Sequence, residues 1–131
     1  MGTYIGFSNS VGATHGALLN QIIPEYEAVL SAMTTKPNET DKRNQNKWLK
    51  AMVDGGYFAK SEFLLLFSTH TGGSLINWKE PGVRNPTLIN EPAFADYKGY
   101  TGDQINSRAI RTNVVPYNDF AIATPNSVCL S

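Results

Sequence analysis

Imidazoles are the side chains best suited to move protons or hold metals near neutral pH, and this chain has two, His15 and His70, in unrelated contexts. Zinc sites draw on closely spaced His and Cys pairs, and the sequence contains none. Ser68-Thr69-His70-Thr71 sets hydroxyls beside an imidazole. Adjacent strand residues face opposite sides, however, and no Gly-x-Ser-x-Gly elbow is present, so the run reads as a polar cluster at a strand end. Cys129 is the single cysteine, so no disulfide can form within the chain. With no local relation to either histidine, it reads as a small buried apolar residue near the end of a strand. Glu25, Glu27, Asp41 and Glu62 fall on or beside predicted helices, where capping and solubility account for them. Glu80, Glu91, Asp96, Asp103 and Asp119 fall on loops, where a pair flanking a sugar would have to lie, but no spaced acidic loop of the EF-hand type occurs. Trp78, Tyr97, Tyr100 and Tyr117 are the aromatics from which a sugar-stacking surface would be built, although aromatics in a β-rich segment more often anchor a core or an interface. Arg84, Arg108 and Arg111 lie in an extended region, where guanidinium groups suit contacts with a neighbour's carboxylates. No constellation here runs a reaction. The chain is expected to be non-enzymatic and to need no cofactor or metal.

Composition narrows the partners. Eleven basic residues balance eleven acidic ones among 131, whereas a nucleic-acid binder gains affinity from a basic excess that displaces counterions. The same balance disfavours an electrostatic membrane-surface role. The apolar run Phe63–Phe67 is far shorter than the roughly 18 residues that span a bilayer. The N-terminal residues lack the basic and apolar regions of a signal peptide, and Gly6 stands where a myristoylation signal has Ser or Thr. Asn38-Glu39-Thr40 is formally a glycosylation sequon, but without a signal peptide it reads only as a helix cap. Charged residues make up 17% of the chain, low against a usual ~25%. The remaining polarity comes from Asn, Thr, Ser and Gly.

The elements that would position these groups divide into three parts. Residues 1–20 form a glycine-rich N-terminal arm whose Tyr4, Ile5 and Phe7 make either a short strand or a segment that orders against a partner. Residues 21–70 carry an antiparallel helical pair and a strand. Pro24 opens the first helix, with Glu25 and Glu27 at its start, and Tyr26, Val29, Leu30 and Met33 along one face. Thr34-Thr35-Lys36-Pro37 ends it. Asn38 caps a second helix whose apolar face holds Gln45, Trp48, Leu49, Met52 and Val53, and Gly55-Gly56 stops it. Phe63–Phe67 reads as a fully buried strand, with a short helix from Ser61 as the other reading. Residues 71–131 hold five of the seven prolines, which forbid long helices and favour extended geometry. Short extended pieces are expected at Ser74–Trp78, Thr87–Asn90, Ala93–Tyr97, Val114–Val115 and Asp119–Ala123, with turns at Gly72-Gly73, Pro81-Gly82 and Gly102-Asp103. The fold class is therefore α+β, a short antiparallel helical pair followed by a Pro/Gly-rich β segment. Such a segment has too few long strands to close a sandwich alone. Oligomerisation, or further C-terminal sequence beyond the strand-like Ser127–Ser131, is expected to complete it.

Three runs carry a resemblance. Asn77-Trp78-Lys79-Glu80-Pro81-Gly82, Asn90-Glu91-Pro92-Ala93-Phe94 and Lys98-Gly99-Tyr100-Thr101-Gly102-Asp103 together resemble a family of structural proteins of tailed phages and prophages, including crAss-like and Bacteroides phages. The likeness covers about residues 45–130. It implies a helical region, a hydrophobic strand at Phe63–Phe67, the Asn-Trp-Lys stretch, a Gly-Tyr-x-Gly-Asp turn and then a concanavalin/laminin-G-like β-sandwich. The loop Asp103-Gln104-Ile105-Asn106-Ser107 is shorter than that family's Ser-rich loop, and the chain stops while such a sandwich is still being built. That favours a scaffold, anchor or fibre-base role.

The leading expectation is thus a virion component of a tailed bacteriophage, a head fibre, capsid decoration or appendage subunit made in the bacterial cytoplasm. Its partners would be copies of itself, as a homotrimer, and other virion proteins, with no nucleic acid and no membrane. Tyr4, Ile5, Phe7, Trp78, Arg84, Tyr100, Arg108 and Arg111 are the candidate anchoring residues. A second expectation is a module for host-surface glycans with Trp78, Tyr97 and Tyr100 as its stacking platform. A polysaccharide-active enzyme using Glu91 and Asp103 comes third.

Overall fold

Proline after Ile23 forces that residue into extended geometry, φ −76° and ψ 150°, and the chain then turns directly into helix. In a computed structural model, which describes residues 21–115, this helix is α1, Pro24–Ala32. Glu25 and Glu27 sit in its first turn, and Lys36 folds back to donate to the Leu30 carbonyl at its other end. Asn38 begins α2, Glu39–Asp54, by accepting the Asp41 N–H at 2.9 Å and donating its own amide to the Asp41 carboxylate at 2.7 Å. Gly56, at φ 73°, supplies the left-handed residue that separates α2 from the short α3, Tyr57–Lys60.

The predicted stripe on α1 becomes the core. Tyr26, Val29 and Met33 meet Leu49 of α2, and Ile76 and Trp78 close over them, all six buried. The Trp78 ring lies 5.9 Å from Tyr26 and edge-on to Trp48 at 6.3 Å. Asn46, which the apolar pattern passes over, is also buried. It accepts the Ile23 N–H at 3.0 Å and donates to the Gln21 carbonyl at 2.9 Å, which satisfies the backbone entering α1. Because the start of α1 thus meets the middle of α2 while a short loop joins their other ends, the two helices run antiparallel.

Phe63–Phe67 departs from expectation. It is neither a fully buried strand nor a helix from Ser61. The segment is half-buried and irregular, with one antiparallel bridge, Leu65 to Asn77. Ser74–Trp78, expected as an extended piece, is mostly turn and bend, and the Trp78 indole N–H reaches back to the Gly73 carbonyl at 3.0 Å across it. A run of consecutive apolar residues sets no alternation, so nothing local holds it extended.

Two antiparallel ladders follow. β1, Thr87–Ile89, pairs with β4, Ala109–Arg111, in the register Leu88 opposite Ile110. Between them β2, Ala93–Ala95, pairs with β3, Gly99–Thr101, in the register Phe94 opposite Tyr100. Strands at Thr87 and Ala93 were expected. Their partners β3 and β4 were not, and Val114–Val115 forms no strand. The class is α+β. The expected arm holding Tyr4, Ile5 and Phe7, the expected strand Asp119–Ala123, and His15, Tyr117 and Cys129 lie outside the described residues.

Candidate interaction surface

The polar groups that suggested chemistry are committed to holding segments together. His70 is buried, its Nε2 lies 3.0 Å from the Thr35 carbonyl and its Nδ1 3.3 Å from the Gln45 amide. A carbonyl only accepts, so Nε2 carries the hydrogen and Nδ1 receives the amide. Gln45 in turn accepts the Tyr26 hydroxyl at 2.7 Å. The Thr71 N–H and hydroxyl both donate to Asp96 Oδ1, at 2.7 and 2.8 Å. The Tyr97 hydroxyl donates to Asp41 Oδ2 at 2.5 Å. Partial burial, followed by that bond and the charges of Asp41 and Asp96, pushes the Tyr97 phenol up to about 12. Burial, and then the negative charges of Tyr97, Asp41 and Glu39, raise the Tyr26 phenol as well. Among the described residues, no group of three or more His, Cys, Asp or Glu side chains is placed to hold a metal ion. Nor is any of their helices long and apolar enough to cross a membrane.

The Asn77-Trp78-Lys79 motif is an internal latch. The fully buried Asn77 accepts the Leu64 N–H at 3.0 Å and the Lys79 N–H at 3.2 Å, and donates to the Val83 carbonyl at 3.0 Å. Asn85 receives the Asn77 N–H at 2.8 Å. Lys79 extends across the Phe58 ring, 4.3 Å from its centroid, to the Phe58 carbonyl at 2.5 Å. Gly82, at φ 93°, makes the following turn.

The candidate anchoring residues are therefore distributed unequally. Trp78 is 1% exposed and fills the chain's own core, so neither a partner nor a sugar can stack on it. Tyr100 packs against Phe94 at 4.6 Å and shares a 2.8 Å hydrogen bond with Ser74. Of the three aromatics of the expected sugar platform, only Tyr97 is exposed. Arg84, at φ 54°, lies 3.7 Å from Glu80. Arg108 and Arg111 are both exposed, flanking and ending β4.

Two features escaped sequence reasoning. The loop between β3 and β4 presents Ile105, 93% exposed. A cleft of about 390 Å³ lies beside α1 and its connection to α2, lined by Ile22, Glu27, Leu30, Ser31, Pro37 and Glu39 among others. No local pattern in the sequence marks the first. The second exists only once α1 and α2 pack. Comparison with protein-family models, with curated proteins and with solved structures finds no match.

Proposed function

We propose that this chain is a structural subunit of a tailed-bacteriophage virion, a head fibre, decoration or appendage component that acts by assembling with copies of itself and other virion proteins. The observation that carries this reading is the fate of the Asn77-Trp78-Lys79 motif. Its side chains bind Leu64, Val83, Phe58 and Gly73 of the same chain and leave nothing over for a substrate. A motif used this way preserves a shape. The two short ladders, each two-stranded among the described residues, leave edges that a neighbouring chain can extend. Trimeric assembly would complete them by symmetry. Mass spectrometry of purified virions from the producing bacterium tests the proposal. Peptides of this chain should copurify with the particles in stoichiometric amounts, and their absence from particles that are otherwise complete overturns it.

A further inference from the structure

The loop that presents Ile105 is held with more hydrogen bonds than its exposure requires. Asp103 accepts the Ile105 N–H at 2.9 Å and the Asn106 amide, while its carbonyl receives the Arg108 N–H at 2.9 Å. Asn90 reaches across to donate to the Asn106 and Ser107 carbonyls, at 2.9 and 3.3 Å. The Asn106 amide and then the Ile105 N–H hold the Asp103 carboxyl below the usual carboxylate range. The side chain so displayed is a large apolar one, in water, three positions before the exposed Arg108. Isolated exposed isoleucines are ordinary on surfaces. An isoleucine fixed in place by its own loop loses little further freedom on docking, which is what a preorganised contact needs.

The same chain offers a matching recess. In the cleft beside α1, Ile22, Leu30 and Pro37 provide an apolar lining, and Glu27 and Glu39 line it beside them. Lys42 lies 3.4 Å from Glu39, and Lys36 is turned to the Leu30 carbonyl. Neither Glu27 nor Arg108 makes an ion pair among the described residues. The Ile105 loop joins β3 to β4, one strand from each ladder, and none of its residues lines the α1 cleft of its own chain.

We infer that the Ile105 loop docks into the α1 cleft of a second copy, with Arg108 facing Glu27. A contact between two different patches is head-to-tail and closes into a ring or grows as a filament according to its rotation. The inference rests on the assembly role proposed above, but its test is independent of the virion.

Sedimentation velocity over a concentration series, on the full chain, should show reversible self-association that weakens as salt rises. Ile105→Asp, at a position that is 93% exposed, should leave the fold intact and weaken association roughly tenfold or more. Arg108→Glu and Glu27→Arg should each weaken it, and combining them should restore it. In a Cys129→Ser background, Ile105→Cys together with Ser31→Cys should give an oxidised cross-link between copies. A monomer at every concentration, association indifferent to Ile105→Asp, or no cross-link between copies overturns the inference. A virion protein that is monomeric in solution would sink it while leaving the structural role standing. A chain that associates through Ile105 yet is absent from particles would do the reverse.

Discussion

The Tyr97 hydroxyl donates to the Asp41 carboxylate at 2.5 Å across 56 residues of sequence, joining the tip of the β2–β3 hairpin to the first turn of α2. Tyr97 adopts φ 59°, a left-handed conformation that bulky residues rarely take, and its N–H is held by the Thr69 carbonyl at 2.9 Å. The hairpin therefore reaches the helices through a small number of polar contacts.

Alkaline pH should release that joint. The folded Tyr97 phenol stands at about 12 against 10.0 in an ordinary tyrosine. A raised acid contributes stability that is complete below the unfolded pKa and is lost as pH climbs through the folded one. The unfolding midpoint should therefore decline between about pH 10 and 12, followed by phenolate absorbance. Tyr97→Phe should shallow that decline, and Tyr26→Phe should shallow it further because the buried Tyr26 phenol is raised too. An unchanged alkaline profile in both variants would contradict the assignment.

The two tryptophans should separate cleanly. Trp78 is 1% exposed and Trp48 40%, so Trp78→Ala should destabilise by about 3–5 kcal/mol, the range for a large aromatic lost from a core. Trp48→Ala should cost about 1 kcal/mol, mainly the edge-on ring contact. Urea unfolding of each variant measures the difference, and equal losses would mean that Trp78 is not the core residue of the pair.

Asn77→Ala should cost about 3 kcal/mol, because it strands the Leu64 N–H and the Val83 carbonyl that the amide serves. Asn77→Asp keeps the acceptor but removes the donor and places a charge at a fully buried position. Both variants should lose hydrogen-exchange protection first at Leu64 and Trp78, whose backbones meet at 2.8 Å. Protection retained there would show that the latch does not depend on this amide.

Glycine substitutions test a second close approach, between Gly72 and the α1–α2 connection. A Cβ on Gly72 would stand 1.9 Å from the Thr35 carbonyl oxygen, a clash with backbone that only a shift of the α1–α2 connection relieves. At Gly102 it would meet the Arg108 carbonyl at 3.6 Å, ordinary contact. Gly72→Ala should lower the stability by about 3 kcal/mol or more and Gly102→Ala by less than about 1 kcal/mol. Thermal unfolding compares them directly.

Local signals in the sequence determined α1 and α2, though not the short α3. Pro24, the Asn38 cap with Asp41 three residues on, and the Gly55-Gly56 stop act within one turn, so their outcome needs no distant partner. The Tyr26, Val29 and Met33 stripe was equally legible, since helical periodicity states which face must be buried. Tertiary structure decided the rest. Asn46 and Asn77 are polar residues that no hydrophobic pattern places inside, and they are buried because backbone groups from other segments arrive to be satisfied. Phe63–Phe67 lost its strand because its neighbour in space is a turn bent around Trp78. Gly99–Thr101 and Ala109–Arg111 are as short as the strands that were expected, and nothing in their own residues marked them out. They exist because Ala93–Ala95 and Thr87–Ile89 offer them a register, and a ladder's hydrogen bonds belong to the pair of strands and to neither sequence alone.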